Sequence, residues 1–211
     1  PVASVGNLET YGLLPDVQDE TLRRHALDIF SRMYGPTPEK DVLAQALGQA
    51  GTDALKGADV LRTAPQIYSS SVEYADNPLA RSLKGVAQVM SAGLGTRIYY
   101  AQHGSFDTHA AQAPTHAELW KDVSNAVQDF WDDLKETGHD ENVVMFLFSE
   151  FGRRVRDNGS GTDHGAAGVS FVIGPKVNGG MYSRYPETRS EALEQGDLVP
   201  NQDFRGVYTT I

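Results

Sequence analysis

Cysteine is absent from all 211 residues, which excludes disulfides, zinc–thiolate sites and thiol nucleophiles while leaving the compartment open. Positive charge is scarce: 18 Lys and Arg stand against 28 Asp and Glu, a formal net charge of −10. So acidic a chain repels phosphate backbones, and no nucleic-acid partner is expected. No stretch approaches the roughly 18 apolar residues of a membrane helix, so no membrane span is expected. Nor does any basic segment lead into an apolar one in the manner of an export signal. What is present is ordinary globular material with a loop-rich bias: 40% hydrophobic residues, with 21 Gly and 10 Pro. The length suits one large or two small domains, enough for a core that needs no cross-links. The first residue is Pro1, and Asp203 to Ile211 reads as a helix cut short, so both ends look like those of a processed or partial chain.

Hydrophobic periodicity divides the chain near residue 95. Residues 1–95 read as a mainly helical segment. Leu22, Ala26, Ile29 and Met33 recur at helical spacing and stop at Gly35, a suitable residue just past a helix end. A weaker run covers Asp41 to Leu47, and another follows near Asp53 to Leu61. Asn77-Pro78 supplies a cap and a first-turn proline for a helix carrying Leu79, Leu83, Val86, Ala87 and Met90. The stretches at 35–38, 48–57 and 64–71 are expected to be loops because they gather Gly, Pro and Ser.

Residues 96–211 read as a sheet portion. Arg97 to Ala101 is β-branched and aromatic, as a strand would be. Thr115-His116-Ala117-Glu118 has the form of a capping box. The helix it opens would bury Leu119, Val123, Ala126, Val127, Phe130 and Leu134 and expose Lys121, Asp122, Asp129, Asp132 and Asp133. Val143 to Phe148 is an unbroken apolar run, expected as a strand covered on both faces, and Gly168 to Gly174 is a third strand. Strand, helix and buried strand predict a βαβ unit and an α/β class with a layered sheet.

In open α/β sheets, ligands bind beyond the carboxyl ends of strands. The polar residues that border each apolar run are therefore where chemistry is expected. They are His103 to His109 after the first strand, Ser149 to Arg154 after the second, and Asn158 to Gly165 before the third. Asp107 and His109 flank a single residue, which in an extended segment puts both on one face, able to share a divalent ion such as zinc, manganese or iron. Alone, an Asp-x-His more often caps a turn beside a solvated ring. His164 follows Asp163 in a glycine-rich loop, where backbone can approach a ligand closely, although Asp163 alone could simply form an Asx-turn. Glu150 could contribute a third acid, or pair silently with Arg153 or Arg154. Arg153 or Arg154 could grip an oxyanion in a bidentate fork. His25 and His139 read as surface residues, and His103 and His116 as no more than supports for the first loop.

Read in order, these segments resemble one known family. Ala92-Gly93-Leu94-Gly95-Thr96-Arg97-Ile98-Tyr99-Tyr100, Gly104 to Gln112, Ser149-Glu150-Phe151-Gly152-Arg153-Arg154, Gly161-Thr162-Asp163-His164-Gly165, Gly196-Asp197-Leu198 and Asp203 to Tyr208 are similar to successive signatures of the bacterial domain-of-unknown-function 1501 family. The resemblance is clearest over 79–211, with Val5-Gly6-Asn7-Leu8 a fainter hint before it. It implies a relation to the alkaline phosphatase and sulfatase superfamily. The chain is then expected to be the later, C-terminal portion of an α/β/α sandwich with a helical N-terminal part. The resemblance implies that Asp107 and His109 form one metal-ligand loop. Glu150 falls where the Asp of an Asp-His ligand pair sits, His164 falls where a late histidine ligand sits, and Phe151 replaces the pair's histidine. The implied cofactor is a divalent metal: zinc foremost, with manganese, iron or calcium as alternatives. The resemblance further implies a periplasmic or secreted protein.

Two functions follow as expectations. One is a metal-dependent hydrolase of phosphate or sulfate esters acting on a small anionic substrate. In it Asp107, His109, Glu150 and His164 hold the ion, Asp163 orients His164, and Arg153 steadies the substrate; no hydroxyl nucleophile can be named. The other is a non-catalytic structural or assembly protein that keeps the fold without an active site. A saccharide-binding surface built on Trp120, Trp131 and the nine tyrosines is a third option, although rings on an amphipathic helix pack more readily than they bind.

Overall fold

A computed structural model describes Val5, Leu8, Val17 and residues 19–35 and 42–211; Gly6, Asn7, the 36–38 part of the first expected loop and Asp41 lie outside the described residues. The chain divides into two compact units, Pro1–Ala101 and Gln102–Ile211.

The first unit is helical. Helix α1 spans Glu20–Tyr34, opened by Asp19, whose carboxylate accepts from the Thr21 and Leu22 amides and so satisfies two of the first turn's free donors. Helix α2 runs unbroken over Val42–Ile67, where two short helices and a loop at 48–57 were expected. Two of the glycines that suggested a loop, Gly48 and Gly51, are used for packing instead. A Cβ on Gly48 would stand 2.8 Å from the Tyr34 carbonyl oxygen, and one on Gly51 2.8 Å from the Tyr34 ring. Close approach to α1 thus offsets the roughly 1 kcal/mol that each glycine costs a helix. Pro65 falls in the last turn, so helix extends through part of the expected loop at 64–71 as well. Helix α3, Pro78–Ser91, begins as expected, with the Asn77 side chain accepting from the Ala80 amide at 2.8 Å. Leu8, Ala64 and Val89 form a buried cluster with Leu61, Ala92, Leu94 and Tyr99 against it.

The expected strand at 97–101 is not formed. Among the described residues it has no strand partner, and Ile98 and Tyr100 are 88% and 74% exposed. Tyr99 and Ala101 are partly buried, and burial raises the Tyr99 phenol pKa. A backbone with unpaired ladder groups gains nothing from β propensity.

The second unit is mixed. Helix α4 spans Gln112–Thr137 and starts three residues before the expected capping box. Pro114 is tolerated inside the first turn because its missing N–H has no helical acceptor there. The Thr115 hydroxyl donates back to the Ala111 carbonyl rather than capping. The Ser160 hydroxyl and carbonyl accept from the Ala111 and Gln112 amides, at 2.9 and 3.2 Å, so a distant loop caps α4. Leu119, Val123, Ala126, Phe130 and Leu134 are buried as the spacing predicted, the four larger side chains each worth about 1.5–3 kcal/mol when fully buried. Asp133, expected in water, is fully buried.

Four short strands follow: β1 Met145–Leu147, β2 Gly152–Asp157, β3 Thr162–Gly165 and β4 Phe171–Ile173. They make two two-stranded antiparallel sheets, β1 with β4 and β2 with β3. The expected parallel βαβ unit is therefore absent among the described residues. With residues 97–101 unpaired, β1 is matched by the later β4, and Val144 and Phe148 at its ends are exposed rather than covered on both faces. The β2–β3 ladder sets Gly152 opposite Gly165 and Arg153 opposite His164, with an irregularity before Asp157. Helix α5, Phe204–Thr210, starts at Asp203, whose side chain accepts from the Arg205 amide. No described helix is long and apolar enough to cross a membrane. The protein is thus mixed helix and small sheets with a helical N-terminal part.

Candidate metal centre

Three elements of the second unit meet at one place. The loop 103–111 carries Asp107 and His109, β3 carries Asp163 and His164, and the 157–161 turn between β2 and β3 carries Asn158. One ligand-type atom each from Asp107, His109 and His164 lies within 4.8 Å of the others. Asp107 Oδ1 is 2.7 Å from His164 Nε2 and 3.0 Å from His109 Nε2. Side chains 57 positions apart are thereby joined, while Asp107, His109 and His164 stay about half exposed, at 62%, 49% and 46%.

The other nitrogen of His109 is also engaged. Its Nδ1 meets Asp163 Oδ1 at 3.3 Å, and the Asn158 amide donates to the same carboxylate oxygen at 3.1 Å and to the His109 carbonyl at 3.2 Å. Asn158 in turn accepts from the Ser160 and Gly161 amides. Asp163 was expected to orient His164 and orients His109 instead, because successive residues on a strand leave the backbone in opposite directions. Both carboxylates are held ionised. A hydrogen bond from His164 and the imidazoles of His164 and His109 keep the Asp107 pKa below its ordinary value. Asn158 and then His109 do the same for Asp163, with Arg154 adding a longer-range attraction.

Phe151 stacks on the His164 ring at 4.3 Å and 15° and lies 5.1 Å below the Arg153 guanidinium, so it fixes the plane of His164 from behind. Arg153 does not face outward toward an anion. Its Nη1 donates to the Thr108 and Thr162 carbonyls at 2.8 and 2.6 Å, and its Nη2 to the Phe106 carbonyl at 2.6 Å and the Thr108 hydroxyl at 3.3 Å. Arg154 pairs with Asp197 at 3.3 Å, so neither arginine takes Glu150 as its partner. Glu150 is exposed on the bend before β2 and is not one of the grouped ligands.

His103 and His116 border the site through rings rather than ligands. Both meet Phe106 edge-on at 5.7 Å, and Phe106 also meets Trp120. Trp120 Nε1 donates to His116 Nε2, and its ring lies edge-on to Phe171. That places Trp120 in packing rather than on a saccharide platform. Sequence reasoning did not single out Asn158, Thr108 or Gly152. Gly152 is the most constrained of them: a Cβ there would stand 2.0 Å from the Ala167 carbonyl oxygen. The signal available was the run Gly165-Ala166-Ala167-Gly168, small residues that let the Gly152 backbone approach closely.

The fold and the site together define a mixed α/β protein with a solvent-open cluster of one carboxylate and two imidazoles. The profile of a family described as protein of unknown function (DUF1501) matches residues 35–206, and the chain belongs to that family. No curated protein and no solved structure matches it.

Proposed function

We propose that the chain is a metal-dependent hydrolase whose divalent ion, zinc foremost, is held by Asp107, His109 and His164, and whose substrates are small phosphate or sulfate esters. One observation carries the metal centre. Asp163 Oδ1 stands 3.3 Å from His109 Nδ1, the carboxylate–histidine arrangement that orients metal-binding imidazoles, and His109 Nε2 is directed at Asp107 Oδ1 at 3.0 Å. A carboxylate on Nδ1 favours the tautomer with its proton there, which leaves the Nε2 lone pair free to ligate an ion shared with Asp107.

The donor set fits. In a tetrahedral site with bonds of about 2.0–2.2 Å, neighbouring ligand atoms are about 3.3–3.6 Å apart. Asp107 Oδ1 stands 2.7 and 3.0 Å from the two imidazole nitrogens, so these ligand atoms would spread by roughly half an ångström to take an ion. Oxygen and imidazole donors suit zinc, manganese or iron. Three protein ligands with open positions are the pattern of catalytic rather than structural zinc sites. A divalent ion held there would polarise an ester oxygen and lower the pKa of a bound water. The chain's own part is to hold the ion through Asp107, His109 and His164, to fix the His109 tautomer through Asp163, and to hold the His164 ring plane through Phe151. The hydrolytic step and the ester class rest on the resemblance to the alkaline phosphatase and sulfatase superfamily and its layered sandwich.

A non-catalytic, metal-stabilised role is the second reading, and one observation favours it. The Nη groups of Arg153 are bound to protein oxygens, so the cationic grip expected for an anionic ester is used inside the fold. The two readings separate in one experiment: titrate metal-free protein with zinc, manganese and iron by calorimetry, then assay p-nitrophenyl phosphate and p-nitrophenyl sulfate with the zinc-loaded protein. Zinc binding near one ion per chain, with turnover abolished in His109→Ala and His164→Ala, is expected. Zinc binding that raises thermal stability without turnover supports the structural role, and binding of neither zinc, manganese nor iron removes the metal centre and leaves a metal-free structural role.

A further inference from the structure

We propose that Arg153 is a positioning residue: its guanidinium clamps the 106–108 backbone against β3 and so preorganises Asp107, His109 and His164. This rests on reading those three side chains as a metal centre. The carbonyls it holds bracket the ligands. Phe106 and Thr108 flank Asp107, Thr108 precedes His109, and Thr162 lies two residues before His164. All three carbonyls and the Thr108 hydroxyl accept from the two terminal nitrogens of one side chain. Opposite His164 in the β2–β3 register, Arg153 is fixed to the strand that presents the third ligand. The loop therefore cannot move away from β3 without leaving a half-buried cation short of acceptors.

The chain geometry around the clamp supports an ordering role. The loop is tight: the Thr108 amide donates to the Phe106 carbonyl at 2.9 Å, and Ser105 is left-handed, with φ 69°, a conformation that a non-glycine residue keeps only when its surroundings enforce it. Thr108 is 8% exposed although its neighbours are open to solvent. Lysine could not replace the clamp, because its donors radiate from one atom and cannot reach four acceptors spread along two segments. Phe151 covers one side of the guanidinium and of the His164 ring together, so the same stack that fixes the ring also fixes the clamp.

The test uses metal-free protein and two readouts. Amide hydrogen exchange at 106–109 reports loop ordering without any ion, and zinc calorimetry reports preorganisation. Arg153→Lys is expected to speed exchange of the Thr108 amide by on the order of tenfold and to weaken zinc binding by roughly 10–100-fold, with β1 and β4 amides unchanged. Arg156→Lys, on an exposed β2 position, serves as the control and should alter neither. In Arg153→Ala, millimolar guanidinium should restore part of both, which general loss of stability would not allow. Wild-type zinc affinity in Arg153→Lys overturns the proposal. If the wild-type protein binds neither zinc, manganese nor iron, the metal centre fails, and exchange alone decides: unchanged Thr108 protection overturns the clamp, and faster exchange upholds it.

Discussion

Asp163 stands beside His164 in the chain but holds His109, 54 positions away, through a 3.3 Å contact between Oδ1 and Nδ1. The carboxylate thereby fixes which nitrogen of His109 faces Asp107, a choice the local sequence around either residue does not specify.

That relationship makes Asp163 a support rather than a ligand. Asp163→Asn is expected to weaken zinc binding by about 10–100-fold, the range for a lost carboxylate–histidine contact. His109→Ala and His164→Ala should each cost at least as much, because they remove a donor atom. Competition titration against a chromogenic chelator measures all three. Equal affinity in Asp163→Asn and the wild type would show that the tautomer is not set by this contact.

The depressed pKa of Asp107 has a definite sign. A carboxylate whose folded pKa lies below its unfolded value of about 3.9 stabilises the fold above that value and loses the contribution as pH falls through the lower folded one. His164 is the leading cause, so His164→Ala should raise the Asp107 pKa toward the ordinary range. Carboxyl carbon chemical shifts followed through an acid titration read it directly. No change would mean that the 2.7 Å contact is not kept in solution.

Gly152 should tolerate nothing larger. A methyl group there would meet the Ala167 carbonyl oxygen at 2.0 Å, and both partners are backbone. Gly152→Ala is expected to destabilise the second unit by about 3–5 kcal/mol, the upper end of single-substitution effects, and to lower zinc affinity, since Arg153 follows directly. Chemical denaturation with zinc titration checks both.

The two glycine types in α2 make a paired test. A methyl group on Gly57 would have nothing within 4 Å, whereas one on Gly48 would meet the Tyr34 carbonyl oxygen at 2.8 Å. Gly57→Ala should stabilise by up to about 1 kcal/mol through helix propensity, and Gly48→Ala should destabilise by about 1–3 kcal/mol through overpacking. Thermal unfolding of the two variants should shift in opposite directions.

The sequence by itself determined what short-range physics controls. Asn77 marks the start of α3 because a capping side chain acts within three residues, and the buried face of α4 follows from the 3.6-residue period. Asp107, His109 and His164 were recognisable as ligand types by their chemistry. Only the tertiary structure decided the rest. Packing against Tyr34 accommodates Gly48 and Gly51 within a helix, residues 97–101 have no strand partner among the described residues, and the strand of Met145–Leu147 takes an antiparallel partner. The same long-range packing turned Arg153 inward and kept Glu150 out of the grouped ligands. Pairing partners and side-chain destinations depend on contacts between segments far apart in the chain, and the composition and periodicity of each segment carry no record of them.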